Sequence, residues 1–290
     1  MPETPPHDPT SSPIDRLTDA IDRLGTPACV GLDPSPERFP ADIPTSEPGA
    51  AIETFCARVI EAVAGTVPAV KPQSAHFERW GARGFEALWR TIQRANDAGL
   101  FVVLDAKRGD IGSTADHYAA AAINARADAI TANPYLGPSG LEPFLNAPLL
   151  TYALVRTSNP DSDAVQAIRT DTGDTVAERV ARLMHETGTP HRGTRGLSNL
   201  GAVVGATKSA RDGARLRELM PDTPFLVPGV GAQGGTAEDV RPLVRTNART
   251  PGESGILVNA SRSVLYPDSG TVADAAKRFA DELRVLVSAT

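Results

Sequence analysis

The run LDAKRGDIGST (residues 104–114) closes an apolar stretch with Asp105, Lys107 and Asp110, and Arg108 lies among them. Residues two apart in an extended chain point to the same side, so Asp105 and Lys107 can face one ligand together. Asp110 falls in the turn that follows. Taken alone, the three have a bland alternative: Asp105 and Lys107 pair with neighbouring loops, and Asp110 caps the helix that begins near Ser113. Asp33 and Lys71 shift the balance, because each also ends an apolar run. Carboxylates and ammoniums gathered on one rim have to satisfy one another to be tolerated. Such networks perturb proton affinities and mark functional sites more often than surface pairs do. Lysine occurs only at 71, 107, 208 and 277, so two of the four at strand ends are hard to read as solvating decoration.

A second constellation suits an anion. The loop GVGAQGG (229–235) carries Gly229, Gly231, Gly234 and Gly235, through which backbone N–H groups can come close to a ligand. A helix expected from about 236 would bring its positive end nearby. Arg262, in NASRS (259–263), can add a bidentate cationic grip. Gln233 is the one large polar side chain of the loop and could reach over a bound ligand. An ordinary glycine turn is the competing reading, and Arg262 at the next strand end disfavours it.

The elements that must position these residues form a rhythm. Short apolar runs lie at 28–32, 67–70, 100–104, 128–132, 148–155, 201–206, 224–228 and 255–260. Amphipathic helical segments are expected at 50–64, 83–98, 114–126, 175–187, 209–220, 236–246 and 271–287, as though each strand were followed by a helix. Apolar strands without polar alternation need burial on both faces, which implies parallel strands covered by helices. Eight such units in 290 residues fit a (β/α)8 TIM barrel better than an open doubly wound sheet. Residues 1–13 are expected to be a disordered tail and 14–290 a single barrel domain. The long segments 33–49 and 158–174 both follow strands, on the C-terminal face where barrels of this kind build their active sites.

Composition excludes several classes. A net charge of −6 with pI near 5.4 and no basic patch with interleaved aromatics argues against nucleic acid or a membrane surface as partner. No run of about 18 apolar residues is present to form a spanning helix, and the first residues, MPETPPHDPTSSP, lack the apolar core of a signal peptide. Two cysteines without a CxxC pair supply neither a disulfide framework nor a zinc site, so a reducing cytoplasm is expected. Cys29, Trp80 and Trp89 suit packing, and His76, His117, His185 and His191 lack ligand spacing.

In CVGLDP (29–34), AVKPQSAHFE (69–78), FVVLDAKRGDIGSTA (101–115), VRTSNP (155–160), VPGVGAQGG (227–235) and NASRS the chain resembles the orotidine 5′-phosphate decarboxylase family, in its longer, type 2 form. The resemblance implies decarboxylation of orotidine 5′-monophosphate to uridine 5′-monophosphate without metal or cofactor, in a homodimer with shared active sites. It implies that Asp33 and Lys71 contact the ribose, that Asp105 lies beside the substrate carboxylate and that Lys107 delivers a proton to C6. Asp110 and Thr114 would reach into the partner subunit's site. Gly229, Gly231, Gln233, Gly234 and Arg262 would clamp the phosphate, and Ser158 would read the pyrimidine. Two rivals share the motif: a Mg²⁺-dependent sugar-phosphate decarboxylase or aldolase, and a catalytically silent nucleotide-binding barrel. The metal-dependent relatives place an acidic ligand at the end of the second strand, where this chain has Lys71. A pure binder has no need of Lys107.

Overall fold

The computed structural model describes residues 11–231 and 234–287. Eight parallel strands close in sequence order into one barrel: β1 (Ala28–Leu32), β2 (Ala69–Pro72), β3 (Phe101–Arg108), β4 (Ala129–Ala132), β5 (Leu150–Arg156), β6 (Leu200–Val204), β7 (Phe225–Pro228) and β8 (Ile256–Ala260). Around and between them run α1 (Pro13–Leu24), α2 (Pro48–Val63), α3 (Ser74–Glu78), α4 (Gly81–Asp97), α5 (Gly112–Asn124), α6 (Glu142–Leu145), α7 (Asp163–Gln166), α8 (Val176–Gly188), α9 (Ala206–Leu219), α10 (Ala237–Val240), α11 (Arg262–Leu265) and α12 (Val272–Val287).

The strands are apolar throughout because both faces are covered, and alternate residues go to two different cores. Val30, Val70, Val102, Ile130 and Val258 face the helices. Cys29, Ala69, Phe101, Val103, Ala129, Tyr152 and Leu257 fill the barrel interior, whose lower end is plugged by Ile14, Leu17 and Ile21 of α1. Ser12 caps this helix by accepting from the Asp15 N–H, and Gly25 ends it at φ 66°. Ordered structure therefore starts inside the expected 1–13 tail; residues 1–10 lie outside the described residues. Burial pushes the Cys29 and Cys56 thiols up to about 12, leaving them as packing groups.

Two expectations give way. After β4 there is no long helix but two 3-10 turns and the single turn α6. The helix expected over 236–246 stops as α10 at Val240 and passes into a 3-10 turn, Arg241–Leu243, because Pro242 has no N–H to donate and its ring crowds the preceding turn. The 158–174 segment is ordered, with a 3-10 turn at Pro160–Ser162 followed by α7. Among the described residues no helix is long and apolar enough to cross a membrane.

Candidate active site

Continuing the inward-facing positions toward the C-terminal ends of the strands changes their chemistry from apolar to polar. Asp33 follows Cys29 and Gly31, Lys71 and Gln73 follow Ala69, Asp105 follows Phe101 and Val103, Thr131 follows Ala129, and Asn259 and Ser261 follow Leu257. All but Gly31 among these upper positions line one cavity of about 530 Å³ at the barrel mouth. The period of two along each strand thus stacks a dry plug beneath a polar floor.

Asp105 is the hub of that floor. Its Oδ2 accepts from Lys71 Nζ at 2.6 Å and Gln73 Nε2 at 3.0 Å, and its Oδ1 from Lys107 Nζ at 2.6 Å and Thr131 Oγ1 at 2.8 Å. Four donors meet the four acceptor directions of a carboxylate. Burial opposes ionisation of Asp105, but Lys71 and then Lys107 overcome it and hold the carboxyl well below the usual carboxylate range. Burial likewise opposes charge on Lys71, yet Asp105 and then Asp33 raise it above the usual lysine range. The Lys71 side chain is 5% exposed and that of Lys107 46%. One ammonium is therefore a fixed structural charge, whereas the other faces the cavity.

Lys107 does not reach Asp105 by plain strand alternation, as the spacing suggested. The β3–β4 register shifts between Leu104 and Arg108, and Lys107 sits at φ 47°, in the left-handed region that non-glycine residues rarely adopt. Its N–H donates to Thr131 Oγ1 at 2.9 Å. A bulge of this kind re-aims a side chain next to an active site, and here it turns the ammonium back onto Asp105. Arg108 rejoins the ladder beside Ala132 and leaves on the other side, pairing with Glu78 at 2.5 Å.

At the opposite side of the mouth, Gly229, Val230 and Arg262 line the cavity, as does Ser158 after β5; Gly231 and Gly234 do not. The glycine loop takes the left-handed conformations its composition allows, with φ 100°, 76° and 86° at Gly229, Gly231 and Gly234. Three of its amides are engaged inside the loop, however: Gly231 donates to Gly235 O, Gly234 to Gly231 O and Gly235 to Gly229 O. Nor does α10 present a bare positive end, since the Thr236 N–H donates to Asp239. The expected Gln233 lies outside the described residues. Asp33 Oδ1 and Asn259 Oδ1 are buried acceptors that take no hydrogen bond among the described residues. A buried acceptor left unmatched costs about 1–3 kcal/mol, so this floor suits a ligand bearing hydroxyl or N–H donors.

A family model described as orotidine 5′-phosphate decarboxylase / HUMPS family matches residues 26–279. The chain belongs to this family. A curated orotidine 5′-phosphate decarboxylase of Rhodopirellula baltica is 41% identical over 270 residues, covering 87% of each chain. That of Azoarcus sp. is 44% identical over 255 residues, covering 87% of this chain and 89% of the relative. Among solved structures, a putative orotidine 5′-phosphate decarboxylase from Streptomyces avermitilis superposes with a TM-score of 0.80 at 37% identity, covering 96% and 97% of the two chains. The Leishmania donovani OMP decarboxylase superposes at 0.78 with 34% identity, covering 95% and 98%.

Within this decarboxylase family fold, two further residues singled out from sequence, besides Gly231 and Gly234, stand apart from the cavity. Asp110 accepts from the Ile111 N–H at 2.9 Å, and Thr114 is exposed on the first turn of α5. Asp110 is not the helix cap, a position held by Ile111. Both sit by an apolar rim: Ile111, Tyr135 and Leu136 are 64%, 90% and 45% exposed. Gly140 approaches both Asp110 O and Leu136 Cβ. The sequence reading missed Gln73, Thr131 and Gln166 as cavity residues. Gln73 was signalled by its place two residues after Lys71, and Thr131 by being polar within an apolar strand; Gln166 had no such signal.

Proposed function

We propose that Lys107 performs the proton delivery by which this chain converts orotidine 5′-monophosphate to uridine 5′-monophosphate and CO₂, a carboxy-lyase step of pyrimidine biosynthesis. The observation that carries this reading is the half-exposed ammonium of Lys107, held at the cavity by the buried Asp105 carboxylate. When the C6–carboxylate bond breaks, its electron pair stays on C6 in the plane of the ring, where the π-system cannot delocalise it. An ammonium at C6 stabilises that pair electrostatically and then donates its proton to it. The resulting amine regains a proton from solvent, to which the side chain is open. Lys71, buried and held charged, keeps Asp105 ionised while Lys107 gives up its proton to C6 and regains one.

Asp33, with its unmatched buried oxygen, suits a ribose hydroxyl, and Arg262 and Gly229 on the far side suit the phosphate. A Mg²⁺-dependent sugar-phosphate reading fits less well, since the Lys71 ammonium holds the place of the acidic ligand and would repel a cation. Loss of the ultraviolet absorbance of orotidine 5′-monophosphate is expected with the purified chain in excess EDTA. Absence of turnover there, restored by Mg²⁺ on a sugar phosphate, would reverse the assignment.

The assembly that suits the site is a homodimer in a reducing cytoplasm, where the two buried cysteines remain free thiols. Asp110 and Thr114 stand off their own cavity, next to exposed Ile111, Tyr135 and Leu136. An apolar rim of this sort is what a second copy would cover, carrying Asp110 into the neighbouring site. Mixing inactive Asp110→Ala and Lys107→Ala chains should then restore up to about a quarter of wild-type activity, from the one intact site formed in half of the randomly paired dimers. No recovery after verified subunit exchange would refute shared sites.

A further inference from the structure

The loop that follows β5 is built on a buried arginine. Arg156 is 1% exposed, yet its guanidinium has side-chain partners on every nitrogen. Nε donates to Asp212 Oδ2 at 2.7 Å, Nη2 to Asp163 Oδ1, and Nη1 to Ser162 Oγ and Gln166 Oε1, each at 3.1 Å. Asp163 is also met by Lys208 at 3.1 Å and Arg211 at 3.4 Å. The loop is thereby clamped to the start of α9 by a network that the decarboxylation chemistry does not itself require.

Gln166 connects this clamp to the cavity, which it lines together with Thr157, Ser158 and Asn159. An amide side chain has an acceptor end and a donor end, and a guanidinium is a donor only. Arg156 therefore dictates which way the amide points. Oε1 turns to Arg156 and also accepts from the Thr157 N–H at 2.9 Å, so Nε2 faces the other way and donates to Thr157 Oγ1 at 2.8 Å. That hydroxyl in turn donates to Asn159 Oδ1 at 2.7 Å. The donor and acceptor sense along Gln166, Thr157 and Asn159 is thus set from behind by the buried Arg156 together with the Thr157 N–H.

The barrel order indicates what this edge meets. β5 lies opposite β1 in the closed sheet, with β3 and β7 at right angles to both. On the nucleotide reading above, which this inference deepens, C6 sits at Lys107 after β3, the ribose near Asp33 after β1 and the phosphate by Gly229 and Arg262 after β7 and β8. The remaining edge of the pyrimidine, with its N–H and carbonyl groups, is left for the loop after β5. We infer that Arg156 and Gln166 are positioning residues that orient this loop to recognise the pyrimidine edge of the nucleotide.

The test compares competitive inhibition by uridine 5′-monophosphate and by ribose 5-phosphate, which has no base. It uses the wild type, Arg156→Met and Gln166→Glu, with folding checked by circular dichroism. Gln166→Glu keeps an acceptor for Arg156 and loses the donor to Thr157, so it reads the orientation even if Arg156→Met fails to fold. Inhibition by uridine 5′-monophosphate should weaken on the order of tenfold in each folded variant, as for the loss of one oriented polar contact. Inhibition by ribose 5-phosphate should stay within about twofold. A merely structural role would weaken both ligands together, and that result, or no change for either in Gln166→Glu, would overturn the inference. Failure of the wild type to decarboxylate orotidine 5′-monophosphate would instead remove the nucleotide reading itself.

Discussion

Lys107→Ala is expected to lower kcat for orotidine 5′-monophosphate by about 10⁴-fold or more, because it removes two contributions at once. A positioned proton donor contributes roughly 10²–10⁴-fold, and a preorganised charge at the developing anion about 10²–10³-fold. The fold should survive, since the alanine removes one of the four donors to Asp105 and leaves it Lys71, Gln73 and Thr131 as partners, and the side chain that is lost is 46% exposed. The measurement is the initial rate of absorbance loss at saturating substrate, accompanied by a thermal melt. A variant within tenfold of wild-type kcat would show that another group protonates C6, and the role given to the bulge at β3 would go with it.

Arg262→Ala is the second large effect. The phosphate is remote from the bond that breaks, yet energy gained on it can order the charged floor and hold the loops closed. Truncating one partner of a desolvated, hydrogen-bonded charge pair costs about 2–5 kcal/mol, so kcat/KM should fall roughly 30-fold to several thousand-fold. Arg262 is exposed at the start of α11, where substitutions change stability by about 0.5 kcal/mol or less. Orotidine, which lacks the phosphate, supplies the control: wild type and variant should process it equally slowly. Near wild-type kinetics on the nucleotide, or an equal loss on orotidine, would take the phosphate away from Arg262.

The charged floor illustrates how far local pattern reaches. Inward positions recur every two residues, so once the apolar runs are recognised as barrel strands, Asp33, Lys71, Asp105 and Asn259 are bound to share one rim. Their meeting at Asp105 is then a matter of barrel closure. The bulge was not legible in the same way. Lys107 at φ 47° exists because β4 offers Thr131 Oγ1 to its N–H, and a cross-strand partner is invisible to periodicity. Gln166 was missed for a related reason: ten residues separate it from Arg156, and α7 folds it back. The truncated α10 is a different case, because Pro242 stood in the sequence and its rule was outweighed by the apolar spacing around it.

By itself, the sequence determined the eight-strand rhythm, the rim of the barrel on which the charged strand ends gather, and the identity of the carboxylate and ammonium groups placed there. These follow from repeats of two and of 3.6 residues and from residue type, which are local properties of the chain. Only the tertiary structure decided that both lysines converge on one aspartate with unequal exposure, that the glycine loop bonds to itself, and that a buried arginine bonds Gln166 behind the edge after β5. Each of these depends on a hydrogen-bond donor meeting an acceptor from a distant segment, and that pairing exists only when the barrel has closed.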